Sequence, residues 1–133
     1  MTAHRARDLA AATVLPLVAA LAVTTLGTPA DAGTTEPRTV SITAVEPRDD
    51  VFLVKGKVRP HHPGGRVLVQ RKRPQAAHWQ KWRTVRTTDA SRYRRRVRQL
   101  RRPGVICYRV KVPGDATYAD AFSEKVCIRT YWK

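Results

Sequence analysis

From Thr39 to Trp132, apolar residues recur at every second position in short runs, and each run stops at a cluster of proline, glycine, serine or aspartate. A period of two sends alternate side chains to opposite faces of a strand, and no stretch follows the 3.6-residue period of a helix. A helical bundle and an α/β fold are thereby excluded. The runs are Thr39–Glu46, Val51–Val58, Arg66–Arg73, Trp79–Thr87, Ser91–Leu100, Val105–Val112 and Phe122–Trp132. Seven half-buried runs at roughly ten-residue spacing predict an all-β, seven-stranded antiparallel sandwich, although the pattern alone leaves a small barrel open.

Ahead of these runs the chain has a different character. Arg5 and Arg7 precede an apolar stretch from Leu9 to Gly27, and Ala30-Asp31-Ala32 sets small residues at −3 and −1 of a cut before Gly33. That order predicts a secretory signal peptide over 1–32. Its alternative is an uncleaved membrane anchor, against which stand Pro16, the threonines and the small-residue site. Residues 33–38 are a polar lead expected to be disordered, and 39–133 form the domain. The mature chain has no further apolar run long enough to span a membrane, so a secreted, extracellular or envelope-associated protein is expected.

Charge narrows the partners. Lys and Arg number 26 against 10 Asp and Glu, a net charge of +16. Residues 1–32 hold two of each sign, so the whole excess stays on the mature chain. Between Lys55 and Arg102 there are seventeen basic residues and one acid, Asp89. A field of this kind attracts polyanions and favours a soluble monomer. The competing account is a solvated sheet face whose arginines reflect a GC-rich genome.

Several residues carry a resemblance. Val67-Leu68-Val69-Gln70-Arg71, Trp82, Thr88-Asp89 before Tyr93, Tyr108-Arg109-Val110, Pro113-Gly114-Asp115-Ala116-Thr117-Tyr118 and Ser123 follow in an order similar to bacterial immunoglobulin-like repeat domains of secreted and surface proteins. The most specific part is the loop ending in Tyr118, whose ring is expected to tuck back against the sandwich. The resemblance spans about residues 39–131 and implies an immunoglobulin-like fold rather than a chemistry. It implies a spacer or adhesive module, yet this domain is expected to stand alone, is far more basic, and carries two cysteines.

Those cysteines, Cys107 and Cys127, are the only two in the chain. An even count in an exported domain predicts a disulfide. Parity agrees: Tyr108, Val110 and Val112 take the inward face of one strand, and Val126, Ile128 and Trp132 that of the next, which leaves both thiols outward. A hairpin about Pro113–Ala121 would set Cys107 opposite Cys127 and Val112 opposite Phe122. Glu124 then falls inward and needs an exposed edge or a bulge.

No catalytic constellation is apparent. The sequence lacks Gly-x-Ser-x-Gly, His-Glu-x-x-His and any phosphate-cradling glycine loop. His61, His62 and His78 have no carboxylate or thiol at ligand spacing. An enzyme, a metal and a cofactor are therefore not expected. The arginines remain. Arg71, Arg73, Lys81, Arg83, Arg94 and Arg96 come from consecutive strands and are the candidate residues for one basic face that binds polyanions. Guanidinium forks beside an outward Trp79 suit phosphate, sulfate or carboxylate polymers, with wall polymer, acidic polysaccharide and nucleic acid as partner classes. Arg95 shares the side of Tyr93 and has to escape at an edge. The alternative is a small disulfide-stabilised effector or inhibitor that docks a protein partner.

Overall fold

The computed structural model describes residues 34–132. The expected signal peptide lies outside them. Nine strands follow in order: β1 (Thr39–Val40), β2 (Thr43–Arg48), β3 (Val51–Arg59), β4 (Arg66–Lys72), β5 (Gln80–Arg86), β6 (Arg92–Val97), β7 (Gly104–Val112), β8 (Ala121–Phe122) and β9 (Val126–Thr130). There is no helix among the described residues. The strands form two antiparallel sheets. In one, β3 pairs with β6 on one side and with β1 and β2 on the other. In the second, the order is β5–β4–β7, with β8 and β9 sharing the far edge of β7.

Alternation decides which side chains meet. Val54 and Val58 of β3 and Tyr93 and Val97 of β6 join Val67 and Val69 of β4 and Ile106, Tyr108, Val110 and Val112 of β7 in one buried cluster. β-Branched residues dominate it because they fit a pleated surface with little loss of side-chain freedom.

Two of the seven expected strands are each broken in two, and a serine does the breaking both times. β1 and β2 keep a single register along β3, but between them the Ser41 hydroxyl accepts the Lys57 N–H at 2.8 Å. At the other edge the Ser123 hydroxyl accepts the Val110 N–H at 2.9 Å between β8 and β9. A short hydroxyl side chain that takes a ladder donor frees its own carbonyl to turn elsewhere. The second break also adds a residue. Lys111 therefore stands opposite Phe122 and Val112 opposite Ala121, one step from the expected register. Glu124 falls in the break and is exposed, which removes the conflict its parity posed. Trp132 does not join the core: the last strand stops at Thr130, and the ring is 81 % exposed.

The expected bridge between Cys107 and Cys127 is present, with Sγ atoms 2.04 Å apart on directly opposed residues of β7 and β9. Within the lead, for which disorder was expected, Glu36 pairs with Tyr118 and Arg38 is buried. The Arg38 guanidinium lies 4.0 Å from the centre of the Tyr118 ring and 3.9 Å from Asp115. An aromatic face and a carboxylate partly replace the water that this charge gives up.

Candidate functional site

The chain enters β6 through a tight turn that crosses from one sheet to the other. Ser91 N–H donates to the Thr88 carbonyl, and Thr88 N–H donates to the Arg92 carbonyl. Ser91 is fully buried, and its hydroxyl accepts the His62 N–H at 2.7 Å, which ties the turn to the Pro60–Gly65 connection. Beyond it, Tyr93 and Val97 point into the core, so Arg92, Arg94 and Arg96 stand on the outer face.

β3 presents lysines to the same face. Lys57 is directly opposite Arg92, Lys55 opposite Arg94, and Leu53 opposite Arg96. The ion pairs among the described residues, Arg38–Asp115 and Lys111–Asp120, involve none of these side chains. Lys55, Lys57, Arg86, Arg92 and Arg94 line a groove of about 580 Å³ together with Tyr93 and Gly56.

A larger groove of about 730 Å³ opens beside it, between β5 of one sheet and β6 of the other. Its charged lining is Arg83, Arg94, Arg95, Arg96, Arg98 and Arg101, with Asp50 as the one acid, and Leu53, Trp82 and Val97 supply the apolar part. Tyr108 fixes one end. Its hydroxyl donates to the Arg98 carbonyl at 2.6 Å and accepts the Arg98 N–H at 3.2 Å. Burial pushes the Tyr108 hydroxyl above the usual phenol range, which keeps it a donor. Trp82 is the extra residue where the register between β4 and β5 shifts, and it packs against Tyr108 with ring centres 5.6 Å apart.

Of the six residues expected to share one basic face, Arg83, Arg94 and Arg96 meet in the larger groove. Arg71 stands behind them, 5.7 Å over the Trp82 ring, with its Nε buried and without a hydrogen-bond partner. Burial, then the neighbouring Arg73, holds its guanidinium below the usual range. Arg73 itself lines a third hollow of about 400 Å³ with Lys72, Trp79, Cys107 and Lys125. Lys81 lies opposite Gln70 on the outer face of the second sheet.

The expectation of neighbouring strands holds for β4 and β5 but not for β5 and β6, which belong to different sheets. The arginines of β5 and β6 therefore converge across a cleft between two sheet edges instead of on one sheet face. Arg95 leaves the core side through that cleft. Lys55, Lys57 and Arg86 were not among the expected site residues. Alternation placed the lysines opposite Val54 and Val58, but only the long-range pairing of β3 with β6 brings them to Arg92 and Arg94.

The outward Trp79 sits with other cations. The Arg109 guanidinium is 4.6 Å from the Trp79 ring centre and 4.8 Å from that of Phe122, and its Nε donates to Gln70 Oε1 at 2.7 Å. No group of three or more His, Cys, Asp or Glu residues gathers to hold a metal among the described residues, and no helix there is long and apolar enough to cross a membrane. No protein-family model, no curated protein and no solved structure matches the chain.

Proposed function

We propose that the chain is an exported, non-catalytic binding module with an immunoglobulin-like sandwich fold, and that the two grooves flanking β6 hold polyanions. Counting each serine-broken edge as one position leaves seven strand positions, three in one sheet and four in the other, which supports the sandwich reading. The observation that carries the function is the pairing of like charges: Lys55 against Arg94 and Lys57 against Arg92, on adjacent strands. Like charges directly opposed on a sheet cost stability. A counter-charge brought by a ligand offsets that cost. Arginines on an edge strand also discourage strand-to-strand aggregation. That role accounts for β6 but not for the lysines of β3, which lies between two neighbours.

The test is the salt dependence of binding to heparin, DNA and polyphosphate. If six or more anionic contacts form, affinity falls by roughly 10³-fold or more between 50 and 200 mM salt. Replacing Arg94 and Arg96 with glutamine flattens that slope and weakens every polyanion alike. Absence of binding at low salt, or an unchanged slope in the double variant, returns the arginines to a solvated surface. Tyr131 and Trp132, 73 % and 81 % exposed, are the surface aromatics that the protein-docking alternative would use. Binding of that kind responds far less to salt.

A further inference from the structure

We propose that the two grooves form a single track, joined at Arg94, for one flexible linear phosphate polymer; this rests on the polyanion function proposed above and names its ligand. Arg94 lines both grooves. On its far sides lie Arg92, Lys57 and Arg86 in one direction and Arg96, Arg98 and Arg101 in the other. Outward residues on a strand recur about every 6.6 Å, so Arg92, Arg94 and Arg96 form a comb about 13 Å long that leads from the smaller groove into the larger.

The shape of the track selects among polyanions. A small multivalent anion fills one groove and leaves the other empty. A duplex, stiff over about 150 base pairs, meets the comb along one line and does not bend into the cleft between β5 and β6. A flexible chain with an anion on every unit follows the comb and fills both ends. Guanidinium forks suit the phosphate oxygens of such a chain.

The aromatic residues select further. Single-stranded nucleic acids draw much of their affinity from bases stacked on open aromatic faces. The aromatic residues that line the two grooves are Trp82 and Tyr93. Trp82 already has the guanidinium of Arg71 at 5.7 Å and that of Arg83 at 5.4 Å from its ring centre, besides Tyr108 at 5.6 Å. Tyr93 is 2 % exposed. Exposed Phe122, Tyr131 and Trp132 line neither groove. Trp82 is thus the one partly exposed ring a base could reach in the two grooves, already flanked by two guanidiniums, and recognition rests mainly on charge.

The experiment titrates the full chain by calorimetry at low salt with tripolyphosphate, with inorganic polyphosphate of about ten and about thirty units, and with an oligothymidylate and a short duplex of matched charge. Occupying both grooves with one chain makes the second contact intramolecular, so affinity is expected to rise at least about tenfold from tripolyphosphate to the ten-unit chain beyond the gain per added charge. Arg94→Gln is expected to weaken tripolyphosphate as well, because Arg94 lines both grooves, and also to remove most of that rise, so that the loss is larger for the ten-unit chain than for tripolyphosphate. Arg129→Gln removes the same charge from an exposed position of β9, outside both grooves, and is expected to leave the rise intact. Oligothymidylate and duplex are expected to bind more weakly than polyphosphate of equal charge. If affinity follows charge alone, if Arg94→Gln and Arg129→Gln act alike, or if oligothymidylate or duplex binds as tightly, the single track is overturned while polyanion binding stands. If none of these ligands binds, the functional reading fails and the track with it.

Discussion

Lys55 and Arg94 stand directly opposite each other on β3 and β6, two positive charges on one outer face, and neither is in an ion pair with a described acid. In a sheet the opposed position is where side chains interact most, so the arrangement costs stability. Lys55→Glu replaces the repulsion with an exposed cross-strand ion pair. Stability is expected to rise by about 0.5 kcal/mol, in urea denaturation at low salt, and the gain to shrink as salt screens it. Polyanion affinity is expected to fall in the same variant. A destabilised Lys55→Glu would mean that the lysine is held by packing and that repulsion is not what its position expresses.

Beneath that pair, Tyr93 reaches across the sheet to Ser41. Its hydroxyl donates to the Ser41 carbonyl at 2.5 Å, and the carbonyl is free to accept because the Ser41 hydroxyl has taken over the Lys57 N–H. Gly56 makes room, since a Cβ there would overlap the Ser41 carbonyl oxygen and lie 2.7 Å from the Tyr93 hydroxyl. Burial holds the Tyr93 hydroxyl well above the usual phenol range, so it stays a donor. Tyr93→Phe is expected to cost about 1–2 kcal/mol through the lost hydrogen bond and the partner left behind. Gly56→Ala is expected to cost about 1–3 kcal/mol by overpacking. Chemical denaturation reads both. If the two single changes and the double variant add without coupling, the three residues do not act as a unit.

Local pattern made much of this legible in the sequence. The alternation of Val54 and Val58, Val67 and Val69, and Tyr108, Val110 and Val112 placed the core faces, and parity placed Cys107 beside Cys127. The serine breaks were not legible, because Ser41 and Ser123 look like ordinary strand residues until a partner N–H is opposite them. The same blindness moved Phe122 by one register step and left Trp132 expected in the core. For the candidate site, composition marked the arginines but not their convergence. That depends on β5 and β6 falling into different sheets and on β3 lying beside β6, a pairing between residues some forty positions apart. No local signal carries it.

The Cys107–Cys127 bridge closes a loop of 20 residues and joins opposed positions of β7 and β9. By the loop-entropy estimate it contributes about 3 kcal/mol, which for a domain of this size corresponds to roughly 12–24 °C in melting temperature. Cys127 is exposed, so mild reductant reaches it. Thermal unfolding followed with and without reductant is expected to show that loss, with polyanion affinity little changed because both grooves lie elsewhere. A melting temperature indifferent to reduction would show that the Ser123 contact and the β7–β9 ladder alone hold this edge.

Strong acid loosens the loop that carries Tyr118. Asp115 Oδ1 accepts the N–H groups of Tyr118 and Thr117, each at 2.8 Å, and those bonds hold its carboxyl below the usual carboxylate range, with Arg38 adding to the effect. The folded pKa is depressed relative to the unfolded chain. The stability it contributes is therefore fully present above the ordinary carboxylate pKa, near 3.9, and is lost as pH falls through the lower folded value. Neutralising Asp115 weakens the acceptor for both amides and removes the counter-charge of buried Arg38, so the bridge between Glu36 and Tyr118 is expected to loosen with it. Amide shifts and hydrogen exchange of Thr117 and Tyr118, followed from neutral pH down to about pH 2, read this directly. Their midpoint is expected below that of an unperturbed aspartate, and Asp115→Asn is expected to abolish the titration. A midpoint at or above the ordinary value would mean that the loop is held by its backbone contacts to Glu36 and not by the carboxylate.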